Sequence, residues 1–224
     1  MKRVFLFDID GTLINTSGAG GAALNLALHD VFGIAEPKKI SLSGRTDRGI
    51  ALELFEHHEI EPSELNWARF RDAYLARLHE GLPQREGIVL PGVEPLLAKI
   101  AAAPETAMGL LTGNVYQGAK SKLEFFGLFA HFAFGGFGDD HSCRDDVARA
   151  ALQALHDCHG ENEQRLVCVI GDTPLDIRCG RAIGAKVVAV ATGAFSVQEL
   201  QAFEPDYAVE NLADPMPWQQ LLSD

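Results

Sequence analysis

Residues 4–13 read VFLFDIDGTL, an apolar run that changes to acidic residues and glycine within ten positions. The first four of these residues have the length and composition of a buried strand. On an extended backbone Asp8 and Asp10 project to the same side, because residues two apart share a face. The stretch therefore predicts a buried strand with two carboxylates at its carboxyl end, although Asp-Gly is also common in solvated turns.

Further apolar runs alternate with segments of helical periodicity, a pattern typical of parallel strands joined by crossover helices. The clearest runs lie at 107–111, 166–170 and 186–191, with weaker ones at 132–134 and 207–209. We expect an α/β fold with a Rossmann-like parallel sheet. Ligands bind at the carboxyl ends of the strands in such sheets, which is where the acidic pair lies.

Residues 15–84 interrupt the alternation, because helical patterns follow one another there without a convincing strand. Aromatic and apolar residues recur at helical spacing between positions 67 and 78, which predicts a small apolar core within the segment. We therefore expect a helical insertion at 15–84, within an α/β core formed by 1–14 and 85–224.

The 224-residue chain has 19 basic and 31 acidic residues and a formal charge of -12. This charge offers no general attraction to nucleic acid or to an anionic membrane surface, so we expect neither as a partner. A small anionic substrate would need a metal ion, cationic side chains or helix N-termini to reverse the field locally. The N-terminal apolar stretch is too short for a membrane span, and we expect a cytoplasmic protein.

Two more strand ends carry polar residues. Residues 110–114 read LLTGN, and residues 169–176 read VIGDTPLD. Each has an ordinary explanation when taken alone, since Thr, Asn and Asp are common helix caps. The conjunction of three such strand ends in one chain is much less expected by chance, and it predicts one shared site at the sheet edge.

In their order and position, these motifs resemble those of the haloacid dehalogenase-like superfamily. Its phosphatases carry Asp-x-Asp-Gly-Thr, a Ser or Thr strand end, a Lys or Arg, and an acidic motif. The resemblance spans nearly the whole chain, and the helical insert matches the cap of the phosphoglycolate phosphatase-like branch. It implies a phosphatase that uses Mg²⁺ and hydrolyses a small phosphorylated metabolite through a phospho-aspartate intermediate.

The resemblance also implies roles for individual residues. Asp8 would be the nucleophile, Asp10 the general acid and base, and Thr112 a ligand of the transferring phosphoryl group. A carboxylate with an ordinary pKa of about 3.9 is ionised at neutral pH, so Asp8 would need no activating base. Further substrate contacts are expected at Gly11, Gly113 and Asn114.

The magnesium ligands implied by the resemblance are the Asp8 carboxylate, the Asp10 backbone carbonyl and Asp172. Asp176 would be a further ligand or would support the ligands. All these groups offer oxygen, which Mg²⁺ prefers.

The family's cation, often a Lys followed by Pro, is the motif from which this sequence departs. Residues 138–146 read GDDHSCRDD, and Arg144 is the best-placed cation of this stretch. Arg is permanently charged and forks onto phosphate oxygens, so it can meet the electrostatic need with a different geometry. A surface ion pair with Asp145 or Asp146 is the alternative.

Residues 43–47 read SGRTD and form a turn that opens a helix within the expected cap. We expect Arg45 to recognise a carboxylate or a second anionic group of the substrate, as a phosphoglycolate-type phosphatase would require. A plain helix cap by Thr46 or Asp47 explains the segment equally well.

Two other functions remain open at this point. A phosphosugar mutase of the beta-phosphoglucomutase type would use the same residues and differ in how its cap excludes water. A catalytically retired binding protein of the same fold would have no physical reason to keep clustered, mutually repelling carboxylates. The protein is expected to be a monomer or a homodimer.

Overall fold

The computed structural model describes residues 3–161 and 164–223. Six parallel strands form one sheet in the order β5-β4-β1-β6-β7-β8, and β2 and β3 form a separate antiparallel pair. The strands are β1 (Arg3–Phe7), β2 (Ile14–Asn15), β3 (Ile88–Val89), β4 (Thr106–Leu111), β5 (Phe134–Gly136), β6 (Leu166–Gly171), β7 (Lys186–Val190) and β8 (Tyr207–Val209). The α/β fold with a parallel sheet is therefore confirmed.

Helices lie on both faces of the sheet. The helices of the described residues are α1 (Ala19–Phe32), α2 (Asp47–His57), α3 (Glu64–Gly81), α4 (Val93–Ala102), α5 (Tyr116–Phe125), α6 (Arg144–His159), α7 (Pro174–Ala182), α8 (Val197–Gln201) and α9 (Pro215–Leu221), and those that flank the sheet are α4 to α9. In β1, Phe5 and Phe7 pack into a cluster with α4, α5 and α9, whereas Val4 and Leu6 pack into a cluster with α6 and α7. The alternation follows from the two-residue period of a strand buried on both faces. Within the described ranges, every helix is too short or too polar to cross a membrane.

The strand expected at 132–134 lies two residues later, at Phe134–Gly136, and that boundary was wrong. Phe132 is a core residue whose ring meets that of Phe7 edge-on at 5.8 Å, but it precedes the paired segment. Gly135 and Gly136 pair with the end of β4, and a Cβ at Gly136 would overlap the backbone of α6. Glycine is required there by close packing, and its low strand propensity hid the strand.

Helices α1, α2 and α3 pack around their own apolar cluster. Trp67, Phe70, Tyr74 and Leu78 are all buried in it, as their helical spacing predicted. The core contributes Val115 to the same cluster. The division of the chain into a cap at 15–84 and a core stays a prediction, but these helices do have an apolar centre of their own.

Two short contacts connect the first turn of α2 to the end of β4. The Asp47 amide donates to the Gly113 carbonyl oxygen at 2.7 Å, and the Asp47 carboxylate accepts from the Val115 amide at 2.9 Å. A Cβ at Gly113 would overlap the carbonyl oxygen of Arg45, so only glycine permits this approach. The loop before α2 is therefore held against the carboxyl edge of the sheet.

Burial raises the pKa of Asp47 to about 6, although the Lys122 charge and the Val115 amide both lower it. Asp10 and Asp139 repel the ionised form and raise the pKa further. Compared with the unfolded chain, the folded state therefore favours protonated Asp47. The resulting stabilisation is fully present below the ordinary pKa of an aspartate and is lost as the pH rises through about 6.

Asp47→Asn keeps a carbonyl oxygen for the Val115 amide but has no charge to bury. Between pH 4 and pH 7 the free energy of unfolding of the wild type should fall by roughly 1 to 3 kcal/mol relative to the variant. Urea denaturation at four pH values, with equal m-values for both proteins, measures this difference. Two parallel pH profiles would contradict the assignment.

Candidate active site

A cavity of about 340 Å³ lies where β1, β4, β6 and β7 end. The sheet side is lined by Asp8, Asp10 and Asp172, among others. The opposite side is lined by residues of α2 and α3 such as Ile50 and Tyr74. A cavity of this size fits a small metabolite.

Three aspartates lie close together at the base of the site, and two of them, Asp8 and Asp172, line the cavity. Asp8 follows β1, Asp172 follows β6, and Asp176 lies in the first turn of α7. All three are buried, and one carboxylate oxygen of each lies within 4.8 Å of the others. The parallel register of β1 with β6 brings them together, because Phe7 is paired with Ile170.

Burial raises the pKa of Asp8 to about 7, opposed by the Arg144 charge and increased by repulsion from Asp176 and Asp10. Burial also raises the pKa of Asp172 to about 9, with repulsion from Asp176 and Asp8 acting in the same direction. The expectation that Asp8 would keep an ordinary pKa was therefore wrong for the protein alone. Close buried carboxylates need a cation before all of them ionise.

Arg144 provides one positive charge at this cluster. It is the first residue of α6 and is buried, and its Nη2 donates to Asp8 Oδ1 at 3.3 Å, to the Leu111 carbonyl oxygen at 3.2 Å and to Asp176. The two carboxylates raise the pKa of Arg144 against the lowering effect of burial. The surface pairing considered from the sequence is wrong, because Arg144 reaches the cavity floor.

The carboxylates of Asp8 and Asp172 are ligands of the kind that Mg²⁺ prefers. Gly11 has φ +84° and lies against the Asp172 carboxylate, and a Cβ at Gly11 or at Gly193 would overlap it. The Thr12 hydroxyl donates to Asp172 Oδ1 at 3.2 Å. The two glycines thus leave space for the Asp172 carboxylate. Burial and the neighbouring aspartates favour its protonated form, whereas a nearby cation would favour the ionised form. The side chains of Asp8 and Asp172 offer only oxygen ligands.

Asp176 has a different environment from the other two aspartates. Its Oδ2 accepts from the Thr173 amide at 3.1 Å and from the Thr173 hydroxyl at 2.6 Å, which completes a capping box at the start of α7. Its Oδ1 accepts from Arg144. Both oxygens are therefore engaged, and Asp176 is better placed to orient Arg144 than to bind a metal directly.

Thr112 and Asn114 lie next to each other at the end of β4. The fully buried Thr112 hydroxyl accepts from the Asn114 amide nitrogen of the side chain at 2.8 Å. The same Asn114 nitrogen donates to Asp10 Oδ2 at 2.8 Å. The structure thus brings Thr112 and Asn114, two expected substrate ligands, next to Asp10. Gly113, a further expected substrate contact, lies under the loop before α2.

Arg45 lines the cavity, but its guanidinium is engaged within the helical segment. Nη1 forms an ion pair with Glu53 and donates to the Ser41 carbonyl oxygen at 3.1 Å. Nη2 donates to the Gly49 carbonyl oxygen at 3.3 Å. A substrate anion that binds Arg45 would therefore have to compete with Glu53.

Lys122 is the site residue that the sequence reasoning missed. It lies in α5, and its Nζ is 2.6 Å from Asp10 Oδ2 and 2.6 Å from Asn114 Oδ1. The family pattern directed attention to the stretch after β5, whereas this lysine comes from the preceding helix. One signal was available, because Lys122 interrupts the apolar stripe that contains Ala119 and Leu123.

An α/β sheet with three helices after its first strand, and with acidic or other polar residues at three strand ends, is typical of a class of hydrolases. Residues 5–190 match the family model described as haloacid dehalogenase-like hydrolase. The chain belongs to this family.

Several curated proteins are similar over most of the chain. The protein named "Probable phosphatase IndB" of Dickeya dadantii is 27% identical over 217 residues, which cover 96% of this chain and 92% of that protein. The phosphoglycolate phosphatase of Rhodospirillum rubrum is 28% identical over 199 residues, which cover 86% and 81% of the two chains.

Solved structures share the fold at lower identity. CbbY from Rhodobacter sphaeroides, crystallised with phosphate, superposes with a TM-score of 0.76 at 19% identity, covering 96% of each chain. A hydrolase from Pseudomonas syringae superposes with a TM-score of 0.71 at 21% identity, covering all of both chains. These two structures support the fold alone.

Proposed function

We propose that this protein is a magnesium-dependent phosphatase that hydrolyses a small phosphorylated metabolite through a phospho-aspartate intermediate on Asp8. The observation that carries the proposal is a buried Asp8 beside a cation, with Asp10 two residues later on the wall of a cavity of about 340 Å³. The similarity to proteins named as phosphatases supports the same reaction class.

The chemistry assigns one task to each group. The Asp8 carboxylate attacks phosphorus, and the bond between phosphorus and the leaving oxygen breaks. Asp10 gives its proton to that oxygen, so a neutral alcohol departs. Water then attacks the phosphorus of the phospho-aspartate, Asp10 accepts a proton from that water, and inorganic phosphate and free Asp8 are released.

Positive charge has to balance the phosphoryl oxygens during both steps. Arg144 supplies one charge beside Asp8, and the Thr112 hydroxyl lies at the end of the neighbouring strand. Asp8, the Asp10 backbone carbonyl and Asp172 would hold Mg²⁺, with Asp176 orienting Arg144. When bound, the metal ion neutralises charge on the phosphoryl oxygens and keeps the nucleophile ionised.

Asp8→Asn keeps the size of the side chain and removes the attacking charge. Turnover of p-nitrophenyl phosphate should fall about 10³-fold or more, while the circular dichroism spectrum stays the same. Release of inorganic phosphate, and not transfer to another position of a sugar phosphate, separates this reaction from a mutase. Wild-type turnover by purified Asp8→Asn protein would refute the nucleophile assignment.

The metal assignment has a readout that does not depend on turnover. Mg²⁺ at about 100 times its Kd should raise the Tm of the wild type by roughly 5 to 10 °C, because binding stabilises only the folded state. Asp172→Asn should abolish most of this shift, and chelation should abolish wild-type activity until Mg²⁺ is restored. Full activity after thorough chelation would exclude the metal.

The role of Arg45 is tested by two substitutions with opposite expected effects. Arg45→Ala should lower kcat/KM for phosphoglycolate about 10- to 100-fold more than for p-nitrophenyl phosphate, the value of a charge-assisted hydrogen bond. Glu53→Gln frees the guanidinium from its competitor and should raise the same ratio. Equal effects on both substrates, or no wild-type turnover of phosphoglycolate, would remove Arg45 from substrate recognition.

A further inference from the structure

Lys122 is buried in a place where an apolar residue would be ordinary. Its side chain is only 4% exposed, and its neighbours on α5, Ala119 and Leu123, are in the apolar core. Lysine is almost never buried to this degree unless it is paired. Both polar partners of this ammonium group lie in the candidate active site.

The ammonium group closes a triangle with Asp10 and Asn114. Nζ lies 2.6 Å from Asp10 Oδ2 and 2.6 Å from Asn114 Oδ1, and Asn114 Nδ2 donates to the same Asp10 oxygen at 2.8 Å. Each member of the triangle contacts the other two. Such closed networks restrict the rotamers of their side chains more strongly than a single ion pair does.

The arrangement leaves one carboxylate oxygen of Asp10 available. Both donors bind Oδ2, and Oδ1 accepts no hydrogen bond from any described residue. The Asp10 side chain is 41% exposed and lines the cavity. One oxygen is therefore held while the other faces the space that a substrate would occupy.

Stability alone does not explain the lysine. Replacing a buried ion pair with apolar side chains of similar volume is often neutral or stabilising. Both partners of the ammonium group, Asp10 and Asn114, line the cavity.

We propose that Lys122 is a positioning residue for the reaction. Together with Asn114 it holds the Asp10 carboxyl group by Oδ2, so that Oδ1 exchanges the proton with the leaving-group oxygen. This inference rests on the proposed phosphatase function, and it assigns a task to a residue outside the family motifs.

The test compares two substrates of similar shape, phenyl phosphate and p-nitrophenyl phosphate. Phenolate is the poorer leaving group and needs the proton, whereas nitrophenolate departs without one. Because kcat/KM covers only the steps up to the loss of the leaving group, later hydrolysis of the phospho-aspartate does not enter it. Lys122→Met should lower kcat/KM for phenyl phosphate about tenfold or more beyond its effect on p-nitrophenyl phosphate.

A double-mutant cycle with Asp10→Asn provides the second readout. If Lys122 acts through Asp10, Lys122→Met should change kcat/KM no further in the Asp10→Asn background. Lys120→Met is the matched control, since Lys120 lies on the same helix, is 37% exposed and contacts Glu124 at 3.8 Å. This control should behave like the wild type on both substrates.

Other outcomes overturn the proposal in recognisable ways. Equal losses on both substrates that add to those of Asp10→Asn would make Lys122 a phosphate-binding cation. Wild-type behaviour of Lys122→Met would leave the ion pair without a role in turnover. If Lys122→Met does not fold, Lys122→Gln replaces it with the same expected results.

The parent function fails separately from this inference. Wild-type protein that hydrolyses neither aryl phosphate, or an Asp8→Asn variant that remains active, would refute the phosphatase proposal itself. An active, Asp8-dependent wild type whose Lys122→Met variant matches Lys120→Met would refute only the positioning role.

Discussion

The repulsion between Asp8, Asp172 and Asp176 is the interaction on which the rest of the site depends. Their carboxylates lie within 4.8 Å of one another and are buried, an arrangement that costs free energy unless cations or protons relieve it. Arg144 and the capping box of α7 engage Asp176 completely, which leaves Asp8 and Asp172 as the acidic pair facing the cavity. Burial and mutual repulsion raise the pKa of both groups even though Arg144 lies beside Asp8.

Glycine makes this charge density sterically possible. Gly11 and Gly193 lie where a Cβ would overlap the Asp172 carboxylate, and Gly113 lies where a Cβ would overlap the loop before α2. The first two leave room for the Asp172 carboxylate, and the third lets the loop before α2 approach the strand ends. Close approach matters chemically, because excluding water strengthens every electrostatic interaction in the cavity.

The cations around the cavity all have acidic partners. Arg144 pairs with Asp8, Lys122 with Asp10, and Arg45 with Glu53. In a chain of formal charge -12, such pairing keeps each cation at a defined position, but it also means that a substrate anion must compete for it. Each pair therefore holds its cation in a defined orientation at the edge of the cavity.

Much of the fold was predictable from local patterns in the sequence. Five of the six sheet strands are short apolar runs, and the stripe from Trp67 to Leu78 marks one buried helix face, because periodicity directly reflects which side faces the core. The position of the strand at Phe134–Gly136 was predicted wrongly because Gly136 is required by close packing against α6, a helix that comes later in the chain. The two-residue pair of β2 and β3 is too short to leave any pattern.

The sequence by itself determined which polar groups stand at the strand ends, since Asp8 and Thr112 directly follow apolar runs and Asp10 and Asp172 come within three residues of one. Only the tertiary structure decided which cations meet them. Arg144 and Asp8 are 136 positions apart in the sequence, and Lys122 and Asp10 are 112 positions apart. No local sequence pattern predicts contacts between residues so far apart. The physical reason is that a strand end is a local property of the chain, whereas an ion pair depends on how separate helices pack onto the sheet.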